Sequence, residues 1–203
     1  MFRRSFLALG AAALATPALV TSAQAQQLSL GQISAYLNQL RTAQGGFTQI
    51  NGDGTLSTGQ IYIKRPGRIR FEYNAPDNSL MVVGGGQVAI FDPRSNTGPD
   101  QYPLNKTPLK IILDNNVDFG RERMVTGHTS DGTSTTVTAQ DPDNPQFGNI
   151  KLVFTSNPVE LRQWIVTDDT GGQTTVILND LVQGGSIGEV KFNIIAEMNK
   201  WNP

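Results

Sequence analysis

Gly59-Gln60-Ile61-Tyr62-Ile63-Lys64-Arg65-Pro66-Gly67-Arg68-Ile69-Arg70-Phe71-Glu72-Tyr73 decides the fold. Two extended runs flank one proline–glycine turn. A strand sends successive side chains to opposite faces, so a period of two marks a half-buried strand. In the second run Ile69, Phe71 and Tyr73 share one face, and Arg68, Arg70 and Glu72 share the other. The stretch reads as a hairpin of a sheet with one apolar and one polar face.

Upstream, Phe47-Thr48-Gln49-Ile50 reads as a strand and Asn51-Gly52-Asp53-Gly54 as a hairpin turn, leading into a strand over roughly Thr55–Lys64. Before it, Leu30, Ile33, Leu37 and Leu40 fall at i, i+3, i+7 and i+10, which predicts one amphipathic helix over Leu28–Gln44, stopped by Gly45-Gly46. Downstream, Leu80–Val83 and Gln87–Phe91 predict a hairpin around Gly84-Gly85-Gly86, followed by a short strand over Gln101–Leu104. Thr107-Pro108 opens a second short helix, Leu109–Asn115, with Leu109, Ile112 and Leu113 on one face. Proline in a first helical turn gives up no hydrogen bond. Further strands are expected near residues 122–128, 133–140, 149–155, 159–167, 173–180 and 189–195, with turns at Asp131-Gly132, Asp141-Pro142 and Gly171-Gly172.

The order is helix, β-meander, short helix, β-meander, with no βαβ rhythm and no repeat. It predicts a mainly β fold: one open, strongly curved antiparallel half-barrel whose helices form a lid or plug on the concave side. An incompletely filled barrel leaves an apolar cavity suited to a small molecule.

The N-terminus carries Arg3-Arg4, an apolar stretch from Phe6 to Val20, and Ser22-Ala23-Gln24-Ala25. Positive start, short apolar run and small-residue site predict a secretory signal peptide over 1–25, cleaved after Ala25. Arg3-Arg4-Ser5-Phe6-Leu7 also fits the core of a twin-arginine signal, and an ordinary secretory signal fits equally. The remaining 178 residues, 203 less 25, form a single expected domain, 26–203, long enough to bury a core. Cysteine is absent, which excludes disulfides, thiolate metal sites, cysteine nucleophiles and lipid attachment through cysteine. A net charge of −1 gives no footprint for nucleic acid.

His128 is the one histidine, so a Ser-His-Asp triad would have to use it, with Ser130 and Asp131 as partners. No G-x-S-x-G elbow accompanies it, and a strand-end or turn histidine is the simpler reading. Asp141, Asp143 and Asn144 could gather calcium, but the run lacks the glycine-spaced loop and distal glutamate of such sites, and reads as a turn. Gly84-Gly85-Gly86 is followed by neither lysine nor helix start, so it is no phosphate loop. The sequence therefore predicts no catalytic residue, metal or cofactor.

Phe47-Thr48-Gln49 and the run Gly59–Tyr73 resemble the outer-membrane lipoprotein carrier (LolA) family, with its F-x-Q and its G-x-(aromatic)-x-K-R-P-x-x-(apolar)-x-(aromatic) pattern. Pro76, Leu80-Met81-Val82-Val83, Gly86-Gln87, Ile90-Phe91-Asp92-Pro93 and Thr107-Pro108-Leu109 continue the match in order. It is strongest from Phe47 to Leu113.

The resemblance implies an eleven-stranded open barrel with a helical lid. It also implies a periplasmic carrier, not an enzyme. Such a carrier shields the acyl chains of lipoproteins between an inner-membrane ABC exporter and an outer-membrane receptor, working as a monomer. By the match, Arg65 hydrogen-bonds the lid and holds the empty cavity shut, Ile69 and Phe71 line the cavity, and Leu109 faces it from the lid. The candidate lipid-binding set, in cavity or lid, is Arg65, Ile69, Phe71, Tyr73, Met81, Val83, Leu109 and Ile112. Ile69 and Phe71 stand where the family often has phenylalanine and tryptophan, and Gly85 where it often has aspartate. The end of the chain, Phe192–Pro203, matches poorly and leaves Met198 and Trp201 unexplained. Plain core is the competing reading of Ile69, Phe71 and Tyr73. A lipid- or glycolipid-binding sensor of the same half-barrel is the competing function, and a structural β-protein with a filled barrel is another.

Overall fold

A computed structural model of the chain describes residues 26–121 and 123–201. The expected signal peptide lies outside them. Eleven antiparallel strands form one sheet: β1 Thr42–Ile50, β2 Leu56–Lys64, β3 Ile69–Tyr73, β4 Leu80–Gly84, β5 Gln87–Phe91, β6 Asp100–Pro103, β7 Val125–Ser130, β8 Ser134–Gln140, β9 Asn149–Ser156, β10 Val159–Thr167 and β11 Gln173–Gln183. The described α-helices are α1 Leu30–Gln39, α2 Leu109–Leu113 and α3 Ile194–Trp201.

The sheet order is β6-β5-β4-β3-β2-β1-β11-β10-β9-β8-β7. Two meanders, β1–β6 and β7–β11, are therefore zipped along a single seam, β1 against β11, and the outer strands β6 and β7 remain edges. The sheet is curled. β3 and β10 stand four places apart, about 19 Å in a flat sheet at about 4.8 Å per strand. Yet the rings of Phe71 on β3 and Trp164 on β10 meet edge-on at 6.3 Å. One apolar cluster spans the concave side and takes residues as distant as Val88 on β5 and Val137 on β8.

The first helix is shorter than its hydrophobic stripe predicts. Ser29 starts it through a capping box with Gln32, and it ends at Gln39 with Leu40 as its cap. Ile33 and Leu37 enter the concave core. Gly45 and Gly46 do not stop the helix; they lie within β1, at its seam with β11. Sheet pairing on both sides overrides the glycines' local preference for a turn. The second helix likewise ends at Leu113 rather than Asn115.

The strand expected at 189–195 is a 3₁₀ turn, Glu189–Phe192, followed by α3. Val190, Phe192 and Ile194 mimic period two, but Ile194, Met198 and Trp201 repeat at i, i+4 and i+7, a helical stripe. That stripe covers the convex side of β4 and β5, packing on Leu80, Val82, Ala89 and Phe91. Met198 and Trp201 thus have a structural role, and the Phe91 and Trp201 rings lie 5.4 Å apart. β4 and β5 are apolar on both faces because each face has its own cover.

Candidate functional site: the concave face and its lid

Strand register aligns the candidate residues in rows across the concave face. Ile63, Ile69, Val83 and Val88 are successive partners, and so are Ile61, Phe71, Met81 and Ile90. Ile69, Phe71, Val83 and Ile112 are buried in the concave cluster, and Tyr73, Met81 and Leu109 pack against it half-buried. Gly59 is paired with Phe47 across β1–β2. A side chain at Gly59 would strike the Phe47 ring at 2.7 Å and the Glu72 carbonyl. Its absence lets Phe47 lie edge-on to both Phe71 and Tyr73, each at 5.1 Å. The Tyr73 hydroxyl donates to Gln49 Oε1 at 2.8 Å, and burial pushes its pKa up to about 12.

Arg65 sits where β2 ends and is only 5% exposed. Its Nη2 donates to the carbonyl of Asp114, the residue that caps α2, at 2.6 Å. The Gly67 amide donates to the Leu113 carbonyl at 2.8 Å. The β2–β3 turn therefore grips the end of α2 by one side chain and one backbone group. Arg65 Nε and Nη1 are buried with no partner. Burial, then repulsion from Arg41, lowers the guanidinium pKa to about 10, with Asp114 opposing.

On α2, Ile111, Ile112 and Leu113 are buried and Leu109 is half-buried. Ile33 and Leu37 of α1 and Ile111 and Ile112 of α2 belong to the same apolar cluster as Phe47, Phe71 and Trp164 of the strands, so the helices cover the concave face. Two prominent clefts lie elsewhere. One of about 580 Å³ is on the convex side between the β4–β5 turn and α3, lined by Gly84, Phe192, Ile195 and Met198. The other, about 200 Å³, lies between α2 and the loop carrying Asp141 and Asn144.

The residues weighed for catalysis and for metal binding make local structural hydrogen bonds. His128 Nε2 donates to the Leu28 carbonyl at 2.8 Å, tying the start of the described chain to β7. The Ser130 hydroxyl donates to the Ser134 carbonyl, and the Asp131 carboxylate accepts from Thr133 and Ser134, which holds its pKa well below the usual carboxylate range. Asp141 accepts from the Asp143 amide and the Asn144 side chain, closing the turn predicted there. Among the described residues no group of acidic or histidine side chains gathers as a metal site.

Sequence reasoning passed over four residues that complete the lid. Val117 and Phe119 follow α2 and are buried in the concave core. Asn38 and Ser34 on α1 hold them by hydrogen bonds. The signal available was the apolar pair Val117 and Phe119, at i and i+2 around Asp118, directly after the polar run Asp114–Asn116.

The family profile described as outer membrane lipoprotein carrier protein LolA matches residues 38–194. The chain belongs to the LolA family. An outer-membrane lipoprotein carrier protein of Chromohalobacter salexigens is 28% identical over 196 residues, covering 92% of this chain and 90% of that one. The protein of the same description from Azotobacter vinelandii is 24% identical, covering 86% and 87%. Among solved structures, a LolA superfamily protein from Nitrosomonas europaea aligns over 82% of this chain and 98% of its own, with a TM-score of 0.42 and 9% identity. A conserved protein from Thermus thermophilus aligns over 81% and 93%, with a TM-score of 0.47 and 10% identity. The LolA-family motif residues stand at opposite ends of β2 here. The F-x-Q pair, Phe47 and Gln49, contacts Tyr73 from β1, and the K-R-P arginine, Arg65, reaches the lid.

Proposed function

We propose that this protein is a periplasmic carrier, not an enzyme. It receives acylated lipoproteins from an inner-membrane ABC exporter, shields their acyl chains, and passes them to an outer-membrane receptor. Its leader over 1–25 is removed on export after Ala25. The observation that carries the reading is a concave face lined mainly by apolar side chains and capped by a short helix whose end is gripped by the buried Arg65 and by the Gly67 amide.

The physics of the task favours such a latch. Each buried methylene contributes about 0.8 kcal/mol. Three acyl chains sunk without cost would exceed the −18 to −21 kcal/mol at which affinities saturate, roughly. A carrier must also let go. Opening a filled, latched barrel subtracts from the gain of burying acyl chains and leaves net binding weaker than that of the next acceptor. Arg65 is the latch. Ile69, Phe71, Tyr73, Met81, Val83, Leu109 and Ile112 become lining once α2 moves, so core and lipid wall are the same residues in two states.

The test mixes delipidated protein with a purified triacylated lipoprotein and scores co-migration on gel filtration. A soluble complex, absent with the deacylated form, is the expected result; its absence, with an apolar fluorescent probe also excluded, would mean a permanently filled barrel. Arg65→Leu is expected to change the rate of cargo release by tenfold or more. Release at the parental rate would end the latch assignment.

A further inference from the structure

The lid is held at two places built differently. At the β2–β3 turn there are two hydrogen bonds, Arg65 Nη2 to the Asp114 carbonyl and the Gly67 amide to the Leu113 carbonyl, and Arg65 keeps two buried donors unpartnered. At α1 the chemistry is complete. The Asn38 carboxamide takes both backbone groups of Val117: Nδ2 donates to its carbonyl at 2.9 Å, and Oδ1 accepts from its amide at 2.8 Å. Nδ2 also donates to Asn116 Oδ1 at 3.2 Å. One turn earlier, Ser34 Oγ accepts from the Phe119 amide at 3.0 Å while donating to the Leu30 carbonyl at 2.8 Å. Ser34 and Asn38 are i and i+4, so they present one face of the helix to this segment.

The helix that offers this face is itself fixed. Ile33 and Leu37 are buried, Tyr36 meets the Phe154 ring edge-on, and the Leu28 amide donates to Thr135 Oγ1. Asn115 lies between the two holds, flanked by Asp114 of the first and Asn116 of the second, and all three are polar and exposed. Breaking the first hold gives up two hydrogen bonds, returns the Arg65 guanidinium to water and lifts the buried Ile111, Ile112 and Leu113 off the core. Breaking the second gives up four hydrogen bonds, regains no buried charge for water and bares Val117 and Phe119. The hold with fewer bonds and a buried charge to release is the one placed to yield first.

We infer that Asn38, with Ser34, is the fixed end of the lid: α2 swings away from Arg65 about residues 114–116 while Val117 and Phe119 stay docked on α1. Asn38 is thus a positioning residue for opening. The inference rests on the carrier reading above and adds which end of the lid moves.

The test is amide hydrogen exchange, read by NMR on the full mature protein with and without a tripalmitoylated cysteinyl lipopeptide. Co-migration on gel filtration is checked in the same sample. On loading, the Gly67 amide is expected to exchange at least tenfold faster, while the Val117 and Phe119 amides keep their protection. A complex in which Val117 and Phe119 lose protection with Gly67, or instead of it, overturns the hinge and leaves the carrier reading intact. No complex at all overturns the carrier reading, and this inference with it. In the empty protein, Asn38→Ala is expected to speed Val117 exchange at least tenfold without moving Gly67. Asn38→Asp, which keeps the acceptor for the Val117 amide, is expected to recover part of that protection. Parental Val117 exchange in Asn38→Ala would likewise overturn the hinge.

Discussion

At the scale of single residues, Arg65 carries a conflict that the other described residues avoid. A buried guanidinium with two unpartnered nitrogens is held in place by one good hydrogen bond. Burial depresses its pKa to about 10, which works against keeping the charge there. The sign is that of a base depressed on folding. The cost is fully present below pH 10 and is relieved as pH rises above it. Against it stands one charge-assisted bond, worth about 1.5–3 kcal/mol. Replacing the guanidinium removes the bond and the buried charge together, so Arg65→Met is expected to melt within about 1 kcal/mol of the parent, or above it. Thermal denaturation decides: a loss beyond about 2 kcal/mol would make Arg65 a structural stabiliser rather than a latch kept for release.

At the scale of elements, α3 is docked on the convex side by charge as well as by its apolar stripe. Arg70 contacts Glu197 at 3.2 Å and Glu72 at 2.6 Å, and donates to the Lys191 carbonyl. Lys191 reaches Glu72 at 3.3 Å and lies over the Tyr62 ring. Burial alone would push the Glu72 carboxyl up, but its hydrogen bond to Arg70 and the charges of Arg70 and Lys191 win and hold it below its ordinary 4.5. Its contribution is present above pH 4.5 and is lost as pH falls through the depressed value. Acid is therefore expected to release α3 before the barrel opens. The measurable sign is a red shift of tryptophan emission below pH 4.5 that Trp201→Phe abolishes and that Glu72→Gln, which cannot titrate, removes as a pH-dependent step. A shift carried wholly by Trp164 would refute the ordering.

This element also marks where the sequence stopped being legible. The alternation in Ile69–Tyr73 could be read because each face meets one environment. The Arg68-Arg70-Glu72 face reads only as polar, since nothing local says that Lys191 and Glu197, more than a hundred residues later, will pair with it. Val190-Phe192-Ile194 suggested a strand because three apolar residues at spacing two cannot be told from the start of a helical stripe. Among the candidate residues, face and burial were legible. Asn38 was not, because a carboxamide on a helix shows its use only when the backbone it binds is in place.

At the scale of the whole molecule, stability converges on the β1–β11 seam, the one junction between two meanders that otherwise pair only with themselves. The backbones come so close there that a Cβ on Gly45 would stand 2.9 Å from the Asn179 carbonyl oxygen and 3.0 Å from that of Asp180. The same atom on Gly46 would find Asn179 Cβ at 3.6 Å, an ordinary contact. Adjacent glycines of one strand thus make opposite predictions. Gly46→Ala is expected to be neutral or to gain up to about 1 kcal/mol, because alanine loses less chain entropy in a strand. Gly45→Val raises the local β preference just as surely, yet must part the seam. Its cost is expected to be about 3 kcal/mol or more, a fall of roughly 6–12 °C in Tm for a domain of this size. Since both halves share the concave core, Trp164 fluorescence on β10 and far-UV circular dichroism, which reads both meanders, are expected to follow one transition. Two separated transitions in Gly45→Val would show that each meander holds its own core, and that the curled sheet is two domains sharing an edge.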